Sequence, residues 1–428
     1  MLQIKKLEQG LPYLLGIFST LQIISIMGVT VYNWLLVLSF IYMIYTKKLC
    51  IKKNDLILIF LIVSFITIVT GCCFNGLRVD YFKKNVVSGI QLIMVLVIYI
   101  LSYSNKSIFI NRFIKGFNVS CYIQLFWCYI QLVFFYLFNT DINNLIFNKI
   151  LHMVSLESSM ENSGFVCTGF HWHPANLIPT LLWLCIFSKK IYIKFAVLVI
   201  IIACDNTTIL IGVLLYFAFT VLSFLKDIFQ RNKVSKKIII FAVILAGFVA
   251  IFLEPVIEYS AFLLNGILTR FKDAIDSNII DNSSRTHFLY YFNLPFILKT
   301  EKLVNVIFGY GIDCSGFIYS KLFSQYNNLT WILESDPVNI ILSQGIAGFG
   351  VLYSILIRNI AMLRKTNTRY FIFCSILLIM GVTYNVQYNW IILLELMLWA
   401  DMKYVFLEKN SLKISKYFVS SFNIMECD

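Results

Sequence analysis

What most constrains this chain is a recurring pattern: apolar stretches of bilayer-spanning length, separated mostly by short polar segments. A hydrocarbon core about 30 Å thick needs about 20 mostly apolar helical residues, with a range of about 17–25. Twelve stretches fit or approach that length: 11–28, 31–46, 55–71, 86–103, 117–138, 174–188, 191–206, 209–225, 238–254, 338–357, 370–386 and 388–405. None shows the alternation of a membrane β-strand. The expected fold is therefore all-α: a polytopic integral membrane protein with about 12 transmembrane helices, forming one membrane domain over 1–428. Composition agrees, with 59% hydrophobic and 13% charged residues and a mean hydropathy of +0.81. A soluble domain carries about 45–50% apolar and about 25% charged residues. Too few charges remain to clothe a cytosolic enzyme, a disordered chain or a nucleic-acid-binding domain, so no nucleic-acid partner is expected. The first stretch lacks a small-residue cleavage site, and a removable signal peptide is not expected.

The formal net charge of +13 reads as orientation. With the N-terminus inside, 25 of the 35 Lys and Arg fall on inward segments, such as Lys47 to Lys53 and Lys226 to Lys237. This is the positive-inside pattern, and both termini are expected to be cytoplasmic. Of the 11 cysteines the only close pair, Cys72 and Cys73, is adjacent, and no CxxC exists. Neither a zinc site nor a disulfide framework is indicated.

Two outward segments are long: 139–173, and the larger 255–337 between helices nine and ten. Loops beyond about 12–15 residues are usually functional or disordered. The larger one is rich in aromatics, including Tyr290, Tyr291 and Tyr310, and is expected to lay amphipathic helices on the outer membrane surface. All four histidines, His152, His171, His173 and His287, fall in these two segments. An ordinary pKa of about 6.5 suits histidine to acid–base work, although its exclusion from hydrocarbon would produce the same placement.

Four motifs stand out. In His171-Trp172-His173-Pro174-Ala175-Asn176, Pro174 suits a first helical turn. Asn176 then lies near the positive end of the helix dipole, which attracts anions; an interfacial cap is the plainer reading. Arg285, in Asn282-Ser283-Ser284-Arg285-Thr286-His287, is one of few outward cations beside Arg270 and Lys272. Arginine grips phosphate oxygens bidentately, and a headgroup contact would use it equally. Gly309-Tyr310-Gly311 marks a tight turn or close backbone approach and is no dinucleotide fingerprint. Glu334-Ser335-Asp336-Pro337-Val338-Asn339 puts two carboxylates at a helix mouth. Mutual repulsion and partial burial tune such a pair toward general-base work, whereas a helix cap needs only one acid. Gly345 and Gly348 fit close helix packing. There is no Walker loop, DxD or carboxylate cluster, so neither a metal nor a cofactor is expected.

The order of these motifs carries a resemblance. His173-Pro174-Ala175-Asn176 opens a span, and Asp205 to Leu210 follows. The large loop then passes Ser284-Arg285 and Phe308-Gly309-Tyr310-Gly311 and closes on Glu334-Ser335-Asp336 before Gly345-Ile346-Ala347-Gly348. From about Gly164 to Phe349 the chain resembles the O-antigen polymerase and ligase superfamily, specifically a Wzy-type repeat-unit polymerase. Ligases tend to carry histidine in the closing motif, so Glu334-Ser335-Asp336 favours a polymerase. Relatives often have Ser-Arg where this chain has Asn206-Thr207-Thr208.

The resemblance implies a metal-independent glycosyltransferase of the bacterial inner membrane, acting at its periplasmic face in lipopolysaccharide synthesis. The growing glycan would pass from undecaprenyl pyrophosphate to a sugar hydroxyl of the next lipid-linked repeat. Arg285 and Arg270 would hold pyrophosphate, and Asp336 or Glu334 would serve as base. His171, His173, Asn176, His287, Tyr310 and Asn339 would line the substrate site. The implied partners are undecaprenyl-pyrophosphate-linked oligosaccharide, membrane lipid and a chain-length regulator protein. The rivals are a ligase, a non-catalytic assembly subunit and a lipid-linked oligosaccharide flippase. Two features weigh against a flippase: no internal repeat is found, and the spans are almost free of the ionisable residues it should hold in its bundle.

Overall fold

In the computed structural model the described residues are 2–46, 56–75, 77, 79–102, 106–152, 167–171, 174–203, 212–213, 215–219, 221, 283–323, 333, 335–382 and 390–401. They are mostly helical (84%) and make an all-α protein of membrane type. Four helices among them are long and apolar enough to cross a bilayer. These are α3 (Leu56–Phe74), α4 (Val79–Leu101), α5 (Lys106–Phe138) and α11 (Asp336–Thr366). Shorter helices accompany them: α1 (Leu2–Phe18), α2 (Val31–Thr46), α6 (Ile178–Phe187), α7 (Ile191–Ala203), α12 (Thr368–Met380) and α13 (Trp390–Ala400). The stretch 209–225 is described only in part, and 238–254 lies outside the described residues.

The chain divides into two compact units, 1–213 with 301–428, and 214–300. In the second, α8 (Ser283–Thr300) buries Tyr290 and Ile297 on one face. In the first, α9 (Leu303–Phe308) and α10 (Ser315–Leu322) precede α11.

The first expected span, 11–28, is corrected. Helix α1 ends at Phe18, and the apolar residues after Gln22 fold instead as a hairpin of β1 (Ser25–Ile26) and β2 (Val29–Thr30). Met27 (φ 55°) and Gly28 (φ 74°) make its two-residue turn, the positive-φ pair that matches strand twist. Hydropathy alone cannot separate such a turn from the end of a span, and Met27 is 92% exposed.

Helix α5 has 33 residues, about 50 Å at 1.5 Å per residue, so it overruns an apolar core of about 30 Å. Small residues let it cross α1 backbone to backbone. A Cβ on Gly16 would meet the Phe117 amide nitrogen at 2.8 Å, and one on Gly116 would strike the Tyr13 carbonyl. Ser120 donates to the carbonyls of Phe117 (2.7 Å) and Gly16 (3.4 Å). Isoleucine and phenylalanine such as Phe126 on α5 and Ile62 on α3 stay exposed, as lipid-facing residues do.

At the expected inner end, Lys106 and Asp401 form a buried ion pair at 2.6 Å. The Tyr99 hydroxyl donates to Asp401, and the Lys106 ammonium lies 4.7 Å from the Tyr99 ring centroid. One buried network thus ties α4 and α5 to the chain just after α13.

Candidate functional site

Helix α11 is broken. Gly345 has φ 71° and ψ −179°, a conformation open essentially to glycine alone. A broken helix leaves carbonyls without amides, and inside a membrane these must be satisfied locally. Here Gly309-Tyr310-Gly311 satisfies them. The Tyr310 amide donates to Leu342 O (3.0 Å) and the Gly311 amide to Ser343 O (3.1 Å). The approach is so close that a Cβ on Gly309 would strike the Ser343 carbonyl, and one on Gly345 the Ile307 carbonyl.

Asparagines and a threonine from α3, its C-terminal end and α4 fasten this hook. Asn85 donates to Ile68 O (3.0 Å) and accepts from the Ile312 amide (2.7 Å). Asn75 donates to Tyr310 O (3.1 Å), and Thr67 to Phe308 O (2.8 Å). Burial, then the neighbouring Glu301 carboxylate, pushes the Tyr310 phenol above its ordinary range. Burial also raises the Cys314 thiol, with Asp313 adding to the effect; a neutral thiol is a poor nucleophile.

The turn that opens α11 lies against the hook. Asp336, Asn339, Ser343 and Gln344 are fully buried. The Asp336 amide donates to Gly381 O (2.9 Å), and the Ser335 hydroxyl to Val382 O (3.2 Å), so α11 begins where α12 ends. Asn339 accepts from Ser315 and donates to Leu333 O. The side-chain amide of Gln344 has neither of its polar atoms paired. It packs over Gly348, where a Cβ would lie 3.1 Å from its Oε1.

A second cluster holds His171. Three α5 side chains at helical spacing, Gln124, Trp127 and Gln131, line up to receive residues 167–171. Gln124 accepts from the Phe170 amide (2.9 Å), and Gln131 from the Gly169 amide (2.9 Å). Trp127 stacks on Phe170 with centroids 4.7 Å apart. His171 is buried with both ring nitrogens unpaired, and burial pushes its pKa down to about 3. Asn176 donates to Gln22 at 3.4 Å.

Of the residues singled out from sequence, Tyr310, Asp336 and Asn339 thus come together at the hook. His171 and Asn176 belong to the other cluster. Arg285 and His287 lie on α8, their side chains outside the described residues. Arg270, His173 and Glu334 also lie outside them. Gly345, expected to serve close helix packing, also breaks the helix. Asn85, Gln344 and Glu395 went unremarked in sequence. Glu395 carried a usable signal, being a carboxylate in the middle of an apolar stretch; Asn85 and Gln344 carried none.

Fold and clusters together define an α-helical membrane protein with a discontinuous helix pinned by a glycine hook. No protein-family model matches the chain, and no curated protein matches it.

Proposed function

We propose that the chain polymerises lipid-linked oligosaccharide repeats, transferring a growing glycan from undecaprenyl pyrophosphate to a hydroxyl of the next lipid-linked repeat. The observation that supports this reading is the union of two sequence-distant motifs. Gly309-Tyr310-Gly311 binds the turn that begins at Asp336 through the carbonyls of Leu342 and Ser343. Transfer needs a base for the acceptor hydroxyl in a site sheltered from water. Asp336, buried at a helix opening beside half-buried Pro337, is our choice. Arg285 is assigned to the leaving pyrophosphate, where charge builds up. His171, neutral at working pH by its lowered pKa, is assigned to hydrogen bonding rather than to acid catalysis. The inner membrane, the periplasmic face and a chain-length regulator belong to the same reading.

Glu395 favours a second reading, a lipid-linked oligosaccharide translocator. A buried carboxylate within a span and a discontinuous helix are both transporter features. Purified protein in vesicles with lipid-linked repeats separates the two. A polymer ladder supports transfer, and translocation without a ladder supports the second reading.

A further inference from the structure

Glu395 lies mid-way along α13 and is 2% exposed. One carboxylate oxygen, Oε1, has no hydrogen-bond partner, and the carboxylate lies within reach of the Ser19 hydroxyl, which itself donates to Gly16 O at 3.0 Å. Ser19 follows directly on the last residue of α1. The carboxylate therefore faces the negative end of a helix dipole, where an anion is disfavoured and a cation favoured. Among the described residues, Tyr32 of α2 and Cys121 of α5 are titratable groups within its field. Neither supplies positive charge. Among the described residues no Lys, Arg or His pairs with Glu395; the ion pair of Lys106 is with Asp401. Two further hydroxyls are buried with no partner, that of Thr20, next to Ser19, and that of Tyr32. A carboxylate kept out of water with no cation costs several kcal/mol, and the helix end adds to that cost.

We propose that Glu395 is the anionic part of an intramembrane site for a small monovalent cation, a proton or a sodium ion. The Ser19 hydroxyl oxygen lies beside its carboxylate, and the Tyr32 hydroxyl stands within its field. The site lies at the hairpin end of the bundle, because Ser19 and Tyr32 flank the β1–β2 hairpin on either side. It stands apart from the glycan reading, and neither depends on the other.

The test is infrared difference spectroscopy of the full chain in lipid nanodiscs, following the carboxylic-acid carbonyl band. One arm raises pH in choline buffer; the other adds sodium at fixed pH and ionic strength. The band should disappear with pH alone if the ligand is a proton, and saturably with sodium if it is sodium. Glu395→Gln keeps the size and should abolish the change. Ser19→Ala, which spares the carboxylate, should shift the midpoint about tenfold in cation concentration, as loss of a hydrogen bond to a charged group does. A band that neither arm moves means a permanently protonated structural acid and overturns the proposal. So does a change that persists unaltered in both variants, since it then belongs to another carboxylate.

Discussion

Single side chains buried away from bulk solvent set the sharpest expectations. His171 ordinarily titrates at 6.5 and is pushed down to about 3. The unfolded chain takes up a proton as pH falls through 6.5 and the folded one does not. The stability from the neutral ring is thus whole above that pH and drains away toward the lower value. His171→Gln should flatten the fall of Tm on acidification through this window, read by thermal scans in detergent. An unchanged slope would show that His171 is protonated in the fold. Lys106 and Asp401 test the opposite case, a buried pair. Lys106→Met strands the Asp401 carboxylate and should cost about 3–5 kcal/mol, whereas Lys106→Met with Asp401→Leu should recover most of it. Chemical denaturation of both variants checks this. Sequence showed where His171 would fall but not its burial, because Gln124, Trp127 and Gln131 hold its segment from another helix.

Among elements, α11 separates what sequence could show from what it could not. The apolar run 338–357 and the glycines at 309, 311, 345 and 348 were all legible. That Gly309 and Gly345 lock the same break was not, because the pairing spans residues far apart in a single chain. The same holds for Asn85 and Ile312, 227 positions apart. Gly345→Ala forces a side chain into left-handed backbone and onto the Ile307 carbonyl. The strained backbone alone costs about 1–3 kcal/mol, and the clash adds to it. Gly350→Ala, with nothing within 4 Å of its Cβ, should leave stability unchanged or slightly raised. Equal Tm values for the two variants would mean that the hook does not hold the helix break.

For the molecule as a whole, hydropathy matched the apolar helices among the described residues because burial in lipid demands apolar length. It misplaced the end of the first because a hairpin can be as apolar as a span. The charge pattern predicts both termini inside. Reporter fusions at Asn232 and Asn410 should read cytoplasmic and one at Asn293 external; an external reading at Asn232 would remove Asp336 from the outer face. The pyrophosphate assignment predicts that Arg285→Lys recovers little of the activity that Arg285→Ala loses, because the bidentate fork is gone. Near-full polymerisation by the lysine variant would reduce that role to a plain positive field. The most direct test of the central claim is single-round glycan transfer between a purified lipid-linked donor and acceptor, comparing wild type with Asp336→Asn. The variant keeps the size of the buried side chain and loses its basicity. Transfer should fall about 10²–10⁴-fold with lipid-linked substrate binding intact. Transfer within about threefold of wild type, far short of that range, would contradict the account and leave Asp336 a structural residue of the α11 opening.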